Sequence, residues 1–131
     1  MDEQIKIPPA LAQSAQTAID SLFGKLAGVK ALVVASIDGF SVASRASIEL
    51  DANKVAAMAS SFSALGVVVA EESHMGAKKV VTLEAESGYV ILLDIARADF
   101  PMVLSITASS DTVLAQTLYL ARETIAAIQA A

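Results

Sequence analysis

Three short stretches carry side chains able to do chemistry, and each lacks a part that the chemistry needs. Gly39-Phe40-Ser41-Val42-Ala43 nearly spells the Gly-x-Ser-x-Gly elbow that presents a nucleophilic serine. That elbow sits at a strand-to-helix turn and works with a histidine, whereas Ser41 lies just past a hairpin signal, so no catalytic serine is expected. His74 is the single histidine, beside Glu71 and Glu72. A metal cluster there would rest almost wholly on carboxylates, so no metal and no cofactor are expected and a partner contact is the favoured role. In Gly76-Ala77-Lys78-Lys79 one glycine precedes two lysines, but a phosphate-cradling loop needs more glycines, a hydroxyl after the lysine and a following helix. A strand pattern follows instead, and the lysines read as basic gatekeepers at its start. No carboxylate pair lies at helical spacing within an apolar face, leaving general acid-base chemistry without a home. The chain is not expected to be an enzyme.

The elements around these residues can be read from periodicity. Leu11, Ala15, Ala18, Ile19, Leu22, Phe23 and Leu26 recur at three- and four-residue steps up to Gly28, which predicts an amphipathic helix after a tail, residues 1–9. Lys30 to Ile37 and Phe40 to Ala46 are β-rich and separated by Asp38-Gly39, the pair that favours a two-residue hairpin turn. In that register Ile37 faces Phe40 and Ala35 faces Val42. Leu32, Val33 and Val34 make the first strand apolar on both sides, as in a sheet covered on both faces. Asp51 caps a second helix to about Glu72. Strands follow at Val80 to Ala85, Tyr89 to Ala96 and Met102 to Ala108. Ser109, Ser110 and Asp111 then offer caps for a last helix with a Leu114, Leu118, Ala121, Ile125 and Ile128 stripe. The order is α-β-β-α-β-β-β-α in one domain over residues 10–131, an α+β class without repeat or linker.

Composition narrows the partners. Of 131 residues, 55% are hydrophobic and 18% charged, which places the chain on the folded side of the order/disorder divide. The net charge of −5 argues against nucleic acid, whose binders gather Lys and Arg on one face. The chain has no cysteine, hence no disulfides, and Met1-Asp2-Glu3 lacks a signal's basic start, so a cytoplasmic location is expected. No membrane insertion is expected either, because the uncharged stretch Val55 to Ala70 spans only about 24 Å at about 1.5 Å per residue.

That stretch is the most informative feature. A surface helix of a monomer carries charge on one side, and this one carries none over Val55 to Ala70. At 100° per residue Val55, Met58, Ala59, Phe62, Leu65 and Val69 form a large-residue face expected to sit on the chain's own sheet. The opposite face holds Ala56, Ala57, Ser60, Ser63, Ala64 and Val67, with Ala57, Ser60, Ala64 and Val67 at steps suited to a close helix pair about a two-fold axis.

The segment Ala31 to Ser44 with its Asp-Gly hairpin, Gly88-Tyr89 before the strand Val90 to Leu93, and the small-residue central helix together resemble the Roadblock family, which includes dynein light chains and bacterial gliding-motility regulators. The resemblance covers about residues 10 to 131. It implies a five-stranded antiparallel sheet with the central helix on one face and the terminal helices on the other. It also implies pairing through that helix and the Val80 to Ala85 strand, so that Val80 and Thr82 join Ala57, Ser60, Ala64 and Val67 in a dimer interface. The implied role is a scaffold or regulator of a Ras-like small GTPase. Two central helices paired about a two-fold axis leave their ends to frame a partner site, so Asn53, Lys54, Glu71, Glu72 and His74, the polar residues at those ends, are the expected contacts. A small-molecule sensor of related layout is the alternative; it needs a cavity with a few convergent polar groups, which the dense alanine and aliphatic content disfavours.

Overall fold

The computed structural model describes residues 7–131. Most of the 1–9 tail therefore lies outside the described residues. The elements follow the expected order: α1 (Pro9–Lys25), β1 (Val29–Ser36), β2 (Ser41–Ala46), α2 (Ala52–Glu72), β3 (Val81–Ala85), β4 (Gly88–Ile95), β5 (Met102–Ser109) and α3 (Leu114–Ala130). The strands form one antiparallel sheet in the order β2-β1-β5-β4-β3.

The sheet separates two cores of unequal size. On one side Leu11, Ala15, Ile19 and Leu22 of α1 and Ala121, Ile125 and Ile128 of α3 pack on Leu32, Val34, Ile91, Leu93, Leu104 and Ile106. On the other side α2 covers Val33, Ala35, Leu92 and Val103. Alternate residues of β1 thus bury against different layers, the doubly covered strand that its apolar run predicts.

Two local expectations are corrected. The β1–β2 turn has three residues, not two: the Ser36 carbonyl accepts from Gly39 N and the Phe40 carbonyl accepts from Ser36 N. Gly39 alone takes positive φ, at 91°, while Asp38 avoids the left-handed region that costs an L-residue energy. The register shifts accordingly, so Ala35 pairs with Ser41 rather than Val42. The cap of α3 also differs. Ser109 ends β5 and its hydroxyl binds Asp111, Thr112 N closes a turn onto the Ser109 carbonyl, and the helix starts after Val113 without a side-chain cap. Asp51 caps α2 as expected, accepting from Asn53 N and Lys54 N at 3.1 and 3.2 Å.

Candidate functional site

α2 is turned relative to the sequence expectation. Ala56, Ala59 and Ser63 are its buried residues, whereas Met58, Phe62, Leu65 and Val69 are 55%, 51%, 56% and 56% exposed. Of the six residues expected on the sheet, Ala59 is buried there and Val55 is half-buried. The physical reason is complementarity of size. Val33, Leu92 and Val103 already fill the sheet surface, so the helix settles close with its small side inward. Gly66 serves the same approach, since a Cβ there would stand 2.8 Å from Val81 Cγ2 and 3.0 Å from Lys78 Cδ.

This rotation places the small-residue stripe at a flank. Ala57 meets the β1–β2 turn, where a Cβ on Gly39 would stand 3.2 Å from Ala57 Cα, and the Ser60 hydroxyl donates to the Ile37 carbonyl. Ala64 and Val67 are exposed. In β3, Val81 and Leu83 pair with Leu92 and Val90 and share the α2 side, while Thr82 pairs with Ile91 and is exposed on this end strand. Val80 precedes β3 and packs on the larger core. Sequence reasoning assigned Met58, Phe62 and Leu65 to the sheet and did not single out Leu83, yet these large residues dominate the outward face. The alternation Val81, Leu83 was the signal available for Leu83.

The two sheet edges are unlike. The β2 edge is closed by the chain's own side chains: Gln16 Nε2 donates to the Ser44 carbonyl at 2.9 Å, Gln16 Oε1 accepts from Ser44 N at 3.3 Å, and Asn53 Oδ1 accepts from Ser41 N at 3.3 Å. β3, beside the apolar face of α2, ends the sheet on the other side. A sheet edge of this kind offers unpaired backbone groups to another strand.

The polar ends of α2 have mixed roles. Asn53 is engaged by Ser41, while Lys54, Glu71, Glu72 and His74 are exposed. His74 has φ 59° and terminates the helix, with His74 N donating to the Glu71 carbonyl and Met75 N to the Ala70 carbonyl. Among the described residues no cluster of His, Asp and Glu could hold a metal ion. Lys78 is not the solvent-facing gatekeeper expected. Its side chain is only 5% exposed, and its ammonium binds Asp94 Oδ1 and the Ser63 carbonyl, both at 3.0 Å. The Ser63 hydroxyl donates to Asp94 Oδ1 at 2.9 Å, so the pair fastens α2 and the segment before β3 to β4. By length and composition α2 is also long and apolar enough to cross a bilayer, where the sequence reading expected no such run; its inward side is seated on the sheet.

Between α2 and strands β3 to β5 runs a groove of about 300 Å³, walled by Val55, Met58 and Phe62 over Leu83, Val90 and Leu92. Ser105 and Thr107 also line it. On the other side of Phe62 a shallower cleft of about 630 Å³ lies between the second half of α2 and residues 75–81.

Known proteins with this geometry point one way. Comparison with curated protein sequences returns no significant match. A Roadblock/LC7 domain protein from Streptomyces avermitilis is 18% identical with a TM-score of 0.78, covering 88% of this chain and 94% of its own. MglB of Myxococcus xanthus is 12% identical with a TM-score of 0.80, covering 97% and 92%. The gliding protein MglB of Thermus thermophilus is 9% identical with a TM-score of 0.81, covering 99% and 96%. At these identities the likeness shows the shared fold. The family model for the Roadblock/LC7 domain matches residues 16–104, and the chain belongs to that family.

Proposed function

We propose that the chain is a non-enzymatic homodimeric platform that scaffolds or regulates a Ras-like small GTPase in the cytoplasm. The observation that carries the reading is the outward face of α2, whose Met58, Phe62, Leu65 and Val69 are each more than half exposed beside the end strand β3. Monomers rarely leave a contiguous apolar patch of this kind uncovered. A second copy brought edge to edge at β3 about a two-fold axis would extend the sheet and bury both α2 faces against one another. The closed β2 edge leaves β3 as the side available for this. The family is one of regulatory and adaptor domains, and a solved structure described as MglB with a tetrameric arrangement has the same fold with a TM-score of 0.83 and 10% identity, which supports self-association and a regulatory role. The GTPase is the partner that the Roadblock resemblance implies. Light scattering should give twice the 13.5 kDa chain mass at micromolar concentration, and the protein should bind a Ras-like GTPase more tightly with GTP than with GDP. A monomer mass, or equal binding in both nucleotide states, would refute the corresponding half.

A further inference from the structure

β2 is an end strand, yet backbone groups that it turns away from β1 already have partners. Gln16 of α1 reaches this edge from one layer and Asn53 of α2 from the other. Gln16 lays its amide against Ser44 as a neighbouring peptide group would, with Nε2 donating to the Ser44 carbonyl at 2.9 Å and Oε1 accepting from Ser44 N at 3.3 Å. The orientation of that amide is fixed. Nε2 also donates to Asp20 Oδ1 at 3.0 Å, a place that only the donor end can take, and Asp20 is held in turn by Arg45 Nη1 of β2 at 3.2 Å. Asn53 Oδ1 accepts from Ser41 N at 3.3 Å nearer the start of the strand. α1 is seated by Leu11, Ala15, Ile19 and Leu22, and α2 is capped by Asp51, so neither helix depends on these amides for its seat or its cap.

We propose that Gln16 and Asn53 act as a surrogate strand, an autoinhibitory contact that stops a second copy of this chain from adding its own β2 at this edge. A second copy is the occupant excluded because the edge is self-complementary. Ser44 turns both its N–H and its carbonyl outward, so an antiparallel β2 pair about a two-fold axis at Ser44 exchanges two bonds between the two Ser44 residues. Each Arg45 keeps its Asp20, so no bare cations meet across such a pair. A chain with two open edges joins β2 to β2 and β3 to β3 alternately and grows without limit, whereas one closed edge ends the assembly at a dimer. That limit rests on the dimer reading above; the closure of β2 does not.

The test compares three full-length chains by light scattering over a wide concentration range and by amide hydrogen exchange. They are the wild type, the double variant Gln16→Ala with Asn53→Ala, and the same two changes joined to Leu65→Lys, which sets an ammonium on the outward face of α2 against pairing there. The wild-type mass should stay constant, while the double variant, with its far-ultraviolet spectrum retained, should rise with concentration beyond twice the 13.5 kDa chain mass. The triple variant should stop at twice the chain mass, because only β2 is left to pair, and that discrete mass separates strand pairing from aggregation. In the dilute double variant the Ser44 amide should exchange about three- to tenfold faster, the effect of one neutral hydrogen bond. A wild type of monomer mass refutes the dimer reading alone, and the double variant should then stop at twice the chain mass. Unchanged exchange at Ser44 overturns the proposal. A mass that fails to rise although Ser44 exchanges faster overturns it too, and leaves the bulk of α1 as what closes the edge.

Discussion

His74 shows how a single residue can oppose the stability of the element it ends. It is the one non-glycine residue with positive φ among those described, at 59°, in the position after a helix where glycine is usual. The left-handed region costs an L-residue about 1–2 kcal/mol, partly offset because glycine loses more backbone freedom on folding. His74→Gly should therefore raise stability by about 0.5–1 kcal/mol, seen as a higher urea midpoint at unchanged slope. A lower midpoint would mean that the imidazole makes a stabilising contact. Gly39 is the converse case, needing both its φ of 91° and its approach to Ala57, so Gly39→Ala should lose at least about 1 kcal/mol by the same measurement. Near the end of α3, Arg97 binds both oxygens of Asp99 at 2.9 and 2.8 Å and donates to the Ile128 carbonyl at 2.9 Å. The hydrogen bond from Arg97 holds the Asp99 carboxyl below its ordinary value. A depressed carboxylate contributes stability above the unfolded pKa of about 3.9 and loses it as pH falls through the lower folded value. The melting temperatures of wild type and Asp99→Asn should accordingly differ at neutral pH and converge in strong acid. The difference should be small because the Asp99 carboxylate is largely exposed and solvent-screened.

At the scale of elements, α2 marks what periodicity can and cannot reveal. The extent of α2, its Asp51 cap, the doubly buried β1 and the three-strand meander were legible because each depends on local pattern or capping chemistry. The helix's rotation was not, because Val55 to Ala70 has two apolar faces and no charge to mark the solvent side. Only the bulk of Val33, Leu92 and Val103, distant in sequence, decides that the small face goes inward. The three-residue hairpin loop escaped for a similar reason: Asp-Gly suits both turn types, and the bonds that Ser36 makes select one. Lys78 escaped because its partners lie 15 and 16 residues away. The rotation yields a paired prediction. Ala56→Leu, at a fully buried position, should cost about 1–3 kcal/mol of fold stability by overpacking. Leu65→Lys, at an outward position, should leave the circular dichroism spectrum intact and halve the mass found by light scattering. If Leu65→Lys stays dimeric while Ala56→Leu remains as stable as wild type, the orientation of α2 described above is wrong.

At the scale of the whole molecule, the proposed platform raises the question of where a paired chain would meet a GTPase. The terminal helices cover the opposite side of the sheet, so a dimer joined at β3 and α2 carries both central helices on one side and exposes their ends around a composite surface. At those ends Asn53 is occupied by Ser41, which leaves Lys54 at the start and Glu71, Glu72 and His74 at the finish as exposed polar side chains. Glu71 and Glu72 together with exposed Lys79 leave the C-terminal end of α2 with one net negative charge among these side chains, a rim that suits a basic patch on the partner. Charged rims act mainly on association rate, and the effect weakens once salt brings the Debye length from about 30 Å at 0.01 M to about 10 Å at 0.1 M. Reversing both charges, Glu71→Lys with Glu72→Lys, should therefore preserve the dimer mass and lower the association rate for the GTP-loaded partner by about tenfold at low salt. The deficit should shrink at high salt, with dissociation little changed. A rate unchanged at both salt concentrations would move the docking surface away from the ends of α2, to the face formed by α1 and α3. There Tyr119 and Val113 are the large exposed hydrophobic side chains of α3 and its cap, and charge reversal at Arg122 and Glu123 becomes the corresponding test.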